Sequence, residues 1–397
     1  MKMIRFLLVA AGCLSLGSVV RADLATQVTN ALSEVKPVQS GAIPRRASII
    51  FIQCHDLGWG DLSCYGQTNY QTPNLDRFAA EGIRFTDYHA RAEDRLSSTA
   101  TLLSGKHATD LAPDTLTVAD QLASLGYHTG LIGEWSLSGK PWQHGFQEFG
   151  GFLEDREAQN YYPSSIWRCD PLHINPTNNL AETRIGQRGL FDTKGETGHT
   201  YFPDLIFTMA ANYIRTYTPD KANHYQPFFL VVNVSAPRSA SDKTDNFPVP
   251  TDAPYGSEPW PQAAKNRAAL INRIDNGIGK IWQELQKDGL TNSVAIFFTS
   301  MGGPTHFADT NLMTLIKPNG VAQGNTPADS LRAPMIVRWP DRIAPGRVSN
   351  LAWTSADLAP TALEIGFVKI PSQLDGVSVL PTLTGRPQTN QIKAYHP

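Results

Sequence analysis

The pattern of apolar and polar positions alternates between strand-like and helix-like segments from Arg46 onward. Ala47 to Cys54 is an apolar, β-branched run suited to a central strand buried on both faces. It ends at Asp56-Leu57-Gly58-Trp59-Gly60-Asp61, where the glycines predict a tight loop at the strand's carboxyl end. In open α/β sheets that end carries the ligand sites. Thr72 to Gly82 predicts a compact helix with Leu75, Phe78 and Ala79 inward, capped by Thr72, with Pro73 in the first turn and closed by a left-handed Gly82. A helix over Val118 to Leu125 leads through Gly126 to a short strand over Thr129 to Ile132.

Residues 150–200 show little periodicity and predict an irregular insertion or long loops. Beyond them, Leu205 to Tyr217 predicts a helix, Pro227 to Val234 a buried strand, and Ser239 to Pro261 a surface loop. A long amphipathic helix over about Asn266 to Lys287 follows, then strands over Val294 to Thr299 and Pro334 to Trp339. No internal repeat appears. This order predicts an α/β fold with a large, mainly parallel sheet flanked by helices on both faces.

Composition narrows the classes. At 397 residues, 41% hydrophobic and 18% charged, the chain can bury one large core. A net charge of −2 and the lack of a clustered Lys/Arg run argue against a nucleic-acid partner. Lys2 and Arg5 followed by apolar Phe6 to Val20 and then Val20-Arg21-Ala22 read as a signal peptide over residues 1–22. The apolar run of about 15 residues falls short of the roughly 20 needed to span a bilayer, so a secreted or periplasmic chain without a stable membrane span is expected. Ala10-Ala11-Gly12-Cys13 is a weaker match to a lipid-attachment site. Residues 23–46 read as a weakly structured lead-in, 47–385 as the domain and 386–397 as a tail. Cys54, Cys64 and Cys169 show no metal-type spacing, and Cys54 reads as a small buried hydrophobe.

Several segments then resemble the sulfatase family of the alkaline-phosphatase-like superfamily: Cys54 to Gly66, Thr72 to Asp76, Gly82 to Thr86, Leu102 to Gly105, Gly126 to Gly133, Ala333 to Pro340, Asp357 to Thr361 and Asp375 to Pro381. The resemblance implies the sulfatase fold, a sulfuric ester hydrolase ancestry, and a C-terminal subdomain largely missing here. Relatives make an aldehyde nucleophile from Cys or Ser in a Cys/Ser-x-Pro-Ser-Arg motif, which falls on Arg95-Leu96-Ser97-Ser98-Thr99. Arg95 stands at the nucleophile position, and a guanidinium is permanently protonated. The family's calcium or magnesium ligands fall on His55-Asp56 and Met301-Gly302, which leaves Asp56 as the proper oxygen ligand where calcium wants six to eight. The sulfate-contacting lysine and histidine fall on Glu134 and Ser136, a further histidine on Arg238, and another lysine near Lys317.

Three readings follow, the last of them a decayed or incomplete product with no selected function. The first is a catalytically inactive pseudo-sulfatase with no resident cofactor and a cleft for sulfated or other anionic glycans. The second is an active sulfuric or phosphoric ester hydrolase using unmodified Ser97, Ser98 or Thr99, with a metal on His55 and Asp56; zinc would need His306 and more. The first is preferred because the usual activators of a hydroxyl are absent. Losing a cation from a group of acids leaves costly buried charge, so Arg95 is expected to fill the empty region and pair with Asp56 or Glu134.

Overall fold

The computed structural model describes residues 46–90, 95–159, 161–163, 165–170, 181–186, 200–240, 246–303 and 332–389. The first half of the chain runs β1 (Ile49–Cys54), α1 (Pro73–Ala80), β2 (Ile83–Phe85), β3 (Tyr88–His89), α2 (Arg95–Ser104), α3 (Val118–Ser124), β4 (His128–Glu134), β5 (Glu148–Phe152), α4 (Asp155–Ala158), β6 (Ser165–Asp170) and β7 (Ala181–Gly186). Then follow α5 (Phe202–Thr216), β8 (Phe228–Val234), α6 (Gln262–Lys287), β9 (Ala295–Ser300), β10 (Met335–Arg338), β11 (Arg347–Ser349), β12 (Trp353–Thr354), α7 (Leu358–Ile365) and α8 (Leu380–Leu383).

Ten strands form one sheet in the order β11, β2, β10, β9, β1, β8, β4, β5, β6, β7. The five central strands from β9 to β5 are parallel. Antiparallel pairings of β10 with β9 and β2, and of β6 with β5 and β7, flank them. Every residue of β1 is buried. Its side chains alternate: Ile50, Ile52 and Cys54 enter one apolar cluster with α1, α5 and α6, while Ile49 and Phe51 enter a second with α2, α3 and α7. That two-sided burial is why the strand reads as a continuous apolar run. Cys54 is the buried hydrophobe expected, and burial pushes its thiol up.

Local readings were refined by distant partners. Thr72 does not cap α1; its hydroxyl is engaged by Ser63, and Asp275 of α6 accepts instead from Asn74 N (3.1 Å) and Leu75 N (2.8 Å). Gly82 is not left-handed, since α1 ends at Glu81 with φ −90°, and the glycine serves a close approach: a Cβ there would stand 2.2 Å from the Val337 carbonyl oxygen. The stretch read as an irregular insertion contains β5, α4, β6 and β7. In β6 the buried residues Ile166 and Cys169 are three apart with exposed Arg168 between, so no clean alternation marks the strand. Helix α6 starts one turn earlier than its apolar stripe suggests, directly after Pro261. Strand β4 runs past Ile132 to Glu134 through Gly133 (φ +110°), whose Cβ would fall 1.8 Å from the Asn233 carbonyl oxygen. A larger residue could not lie against β8 there, and the glycine lets β4 carry Glu134 to the carboxyl end of the sheet.

Candidate functional site

The carboxyl ends of β1, β8, β4 and β9 converge on the loop that follows Cys54. His55 N reaches Val234 O (3.0 Å) and Ala236 O (3.1 Å), continuing the β1 to β8 ladder one residue beyond the strand. Asp56 sits at φ +51°, a left-handed conformation that non-glycine residues adopt with some strain. Leu57 N donates to Ser300 Oγ (3.2 Å), and Gly58 N donates to Asp61 Oδ2 (2.5 Å). Asp61 is fully buried and accepts from Arg267 Nη1 (2.5 Å), Arg267 Nη2 (2.8 Å) and the Tyr70 hydroxyl (3.0 Å). Arg267 also donates to Asp56 O (3.0 Å). Burial opposes the charge on Arg267, and the Asp61 carboxylate more than offsets it, so the guanidinium pKa is raised. Burial, reinforced by Asp61, likewise pushes the Tyr70 phenol up.

Beside this loop His55 meets Glu134. Their atoms Nε2 and Oε2 are 2.9 Å apart, with side chains 1% and 3% exposed. The contact has ion-pair distance without hydrogen-bond alignment. Ser136, also left-handed at φ +49°, donates its hydroxyl to Glu134 Oε1 (2.7 Å). Asn233 Nδ2 donates to Glu134 O (2.9 Å). Beneath the pair, Gln53 stands in register with Asn233. Both amide atoms of Gln53, Oδ1 of Asn233, Oγ of Ser235 and Nδ1 of His55 are buried without a hydrogen-bond partner among the described residues.

The other positions named from sequence are spread around this centre. Ser98 is fully buried and donates to Met301 O (2.9 Å); Thr99 donates to Met301 Sδ (3.6 Å). Ser97, one residue earlier on α2, is also buried. Met301 is buried and its N–H donates to Cys54 O (2.8 Å), while Gly302 O accepts from Ser300 Oγ (2.6 Å). Arg238 is buried and pairs with Asp155 of α4 (2.5 and 3.2 Å), while its carbonyl accepts from the Tyr161 hydroxyl (2.5 Å). Burial opposes its charge; Asp155 outweighs that, with smaller contributions from the negative charges of Glu134 and Asp56 nearby. Arg95 heads α2, but its side chain, and with it the expected pairing to Asp56 or Glu134, lies outside the described residues, as do Lys317 and His306. Glu134 is engaged by His55 and Ser136.

The resemblance implies a hard divalent cation at these strand ends, and the residues present do not fit one. An imidazole held against a carboxylate, a thioether engaged by Thr99 and a glycine replace three of the four ligand positions. Hard cations need oxygen shells that these groups cannot supply. Among the described residues no group of three or more His, Cys, Asp or Glu side chains could hold a metal ion.

Sequence reasoning passed over Asp61, Arg267, Asp155 and Tyr161. For Arg267 a signal exists: it interrupts the small and apolar series Ala264, Ala268 and Ile271 on the buried face of α6. A lone charge on such a stripe needs a buried partner.

A parallel-centred α/β sheet with a group of buried polar residues at the strand carboxyl ends defines the architectural class. The chain belongs to the sulfatase family, whose model matches residues 47–366. It is 27% identical over 391 residues to N-acetylgalactosamine-6-sulfatase of Canis lupus familiaris, covering 89% of this chain and 69% of that one. Against arylsulfatase A of Bos taurus the identity is 28% over 365 residues, covering 85% and 68%. Among solved structures, a sulfatase from Pseudoalteromonas sp. superposes with a TM-score of 0.65 at 22% identity, covering 86% of this chain and 72% of that one. Another, solved with its substrate D-glucosamine-2-N,6-O-disulfate, gives 0.64 at 21%, covering 88% and 84%. The fold is thus the alkaline-phosphatase-like fold of the sulfatases. No helix among the described residues is long and apolar enough to cross a membrane.

Proposed function

We propose that the chain is an exported, non-catalytic member of the sulfatase family whose cleft binds sulfated or other anionic glycans without a resident divalent cation. The observation that carries this reading is the 2.9 Å contact of buried His55 with Glu134. By resemblance, those two positions should supply a cation-binding carboxylate and a sulfate-binding lysine. The nucleophile position supports the same reading, since the guanidinium of Arg95 cannot attack sulfur. The hydroxyl alternative is poorly supported as well: the Ser98 hydroxyl is buried and engaged with Met301 O, and no base among the described residues is bonded to it. Export rests on the signal-peptide pattern of residues 1–22. The glycan class rests on analogy with relatives such as the one solved with a sulfated glucosamine.

The test is turnover of an aryl sulfate and an aryl phosphate by the purified mature chain, alone and with calcium, magnesium, manganese or zinc. The expected result is no activity above that of Ser98→Ala in any condition. Turnover that Ser98→Ala abolishes would sink the reading in favour of an ester hydrolase. Titration calorimetry with sulfated and desulfated oligosaccharides tests the ligand, with binding expected to the sulfated form alone.

A further inference from the structure

His55, Glu134 and Ser136 lie at the ends of two strands separated in the sheet by β8, yet they form one chain of contacts. The Ser136 hydroxyl donates to one oxygen of Glu134 (2.7 Å), and His55 Nε2 stands 2.9 Å from the other. The Glu134 backbone is fixed by Asn233, and the His55 backbone by Val234 and Ala236. A buried carboxylate with no cationic neighbour is costly, and so is a buried imidazolium without an acid. Each of the two residues therefore lowers the cost of burying the other, and Arg238 adds a further cation near Glu134.

We infer that Ser136, Glu134 and His55 form a self-compensating triad that takes the place of a divalent cation at the strand ends. The chain accordingly reaches and keeps its fold without such an ion. This deepens the non-catalytic reading and rests on it. By the family resemblance, position 55 would carry an acid and position 134 a base, so acid and base have exchanged positions in this chain. The loop after β1 is already held without metal: Leu57 by Ser300, Gly58 by Asp61, and the Asp56 carbonyl by Arg267. The nearby buried atoms of Gln53, Asn233 and Ser235 that lack hydrogen bonds among the described residues are neutral, and the Asp56 carboxylate lies near the cations of Arg238 and Arg267.

The experiment is a set of thermal melts on the mature chain. The unmodified protein should melt at one temperature in excess chelator and in excess calcium; a calcium-dependent rise above about 2 °C would overturn cation independence. His55→Asp places two acids at the contact, and Glu134→Lys places two bases. Each should lower the midpoint by about 6 to 12 °C, as expected for breaking a buried pair in a domain of this size. The double variant His55→Asp/Glu134→Lys restores opposite charges and should regain at least half of the larger loss. A double variant that melts no higher than the worse single one, or does not fold when the singles do, overturns the triad. Should the charge-reversed singles not fold, the neutral set His55→Asn, Glu134→Gln and their combination decides. The double loss should be smaller than the sum of the two, and a loss equal to the sum overturns the proposal. Substrate turnover by the unmodified protein would sink the proposed function while leaving these melts to stand or fall by themselves.

Discussion

Replacing Arg267 with methionine removes a charge while keeping most of the side chain's length, which isolates what the guanidinium does for Asp61. Both partners are inaccessible to water, at 2% and 0% exposure, and two charge-assisted bonds of 2.5 and 2.8 Å join them. In the variant the carboxylate retains the Tyr70 hydroxyl and Gly58 N as donors but has lost the cation bonded to it. At an effective dielectric constant near 20, two charges about 4 Å apart attract by roughly 4 kcal/mol. Breaking a buried pair by removing one member costs about 3–5 kcal/mol. The expected loss for Arg267→Met is therefore about 3–5 kcal/mol, read from guanidinium denaturation followed by tryptophan fluorescence. Adding Asp61→Asn removes the stranded charge while keeping an acceptor for Gly58, so the double variant should regain about half of that loss or more. A single-variant cost below about 1 kcal/mol, or a double variant no more stable than the single one, would refute the claim that this pair holds the loop after β1.

Two further outcomes follow from the packing of α1. Gly82→Ala places a methyl group 2.2 Å from Val337 O and 2.9 Å from Arg338 Cα, backbone atoms that cannot swing aside. Overpacking of this kind costs about 1–3 kcal/mol, and a melt unchanged from the wild type would contradict it. Burial raises the Asp275 pKa above 3.8, against the pull of hydrogen bonds from Leu75 and Asn74. A carboxyl whose folded pKa is raised contributes most below its unfolded pKa and loses that contribution as pH rises through the folded value. The stability advantage of the wild type over Asp275→Asn should thus shrink in urea denaturation as pH rises above the unfolded carboxyl range of about 4. An advantage that widens would show that the bonds to α1 dominate over desolvation.

What could be read from the sequence was whatever one segment decides by itself. β1, β8 and α6 declare themselves because their burial is continuous or periodic over many residues. The roles of Thr72 and Gly82 were misread because the groups that decide them, Asp275 and Val337, lie about two hundred residues or more away in the chain. The site divides in the same way. That positions 55, 95, 134 and 301 had lost their family chemistry follows from residue identity, since no environment turns methionine into an oxygen ligand. Which side chain would meet Glu134 does not follow, because it depends on how β4 and β1 end on either side of β8. Arg267 lay within reach of inspection, yet its partner Asp61 is 206 positions earlier and appears only when α6 packs beside the loop.

The separation between scaffold and chemistry has a structural cause. The apolar clusters that hold the sheet draw on residues along the lengths of β1, β8 and β9, whereas the family's reactive positions begin after the last residue of each strand. Changes beyond a strand end disturb loop contacts and leave the interstrand ladder untouched. Here those loop contacts have been rebuilt from protein groups: Ser300 to Leu57, Arg267 to Asp61, and His55 to Glu134. On the proposed reading, local replacement of this kind would let a chain lose its nucleophile and cation ligands one after another while the fold persists. Similarity of fold therefore carries little weight on activity, and the contacts just past the strand ends carry most of it. If those rebuilt contacts hold the loop, removing any one of them should loosen residues 55–61 in hydrogen exchange and leave protection of the β1 core unchanged.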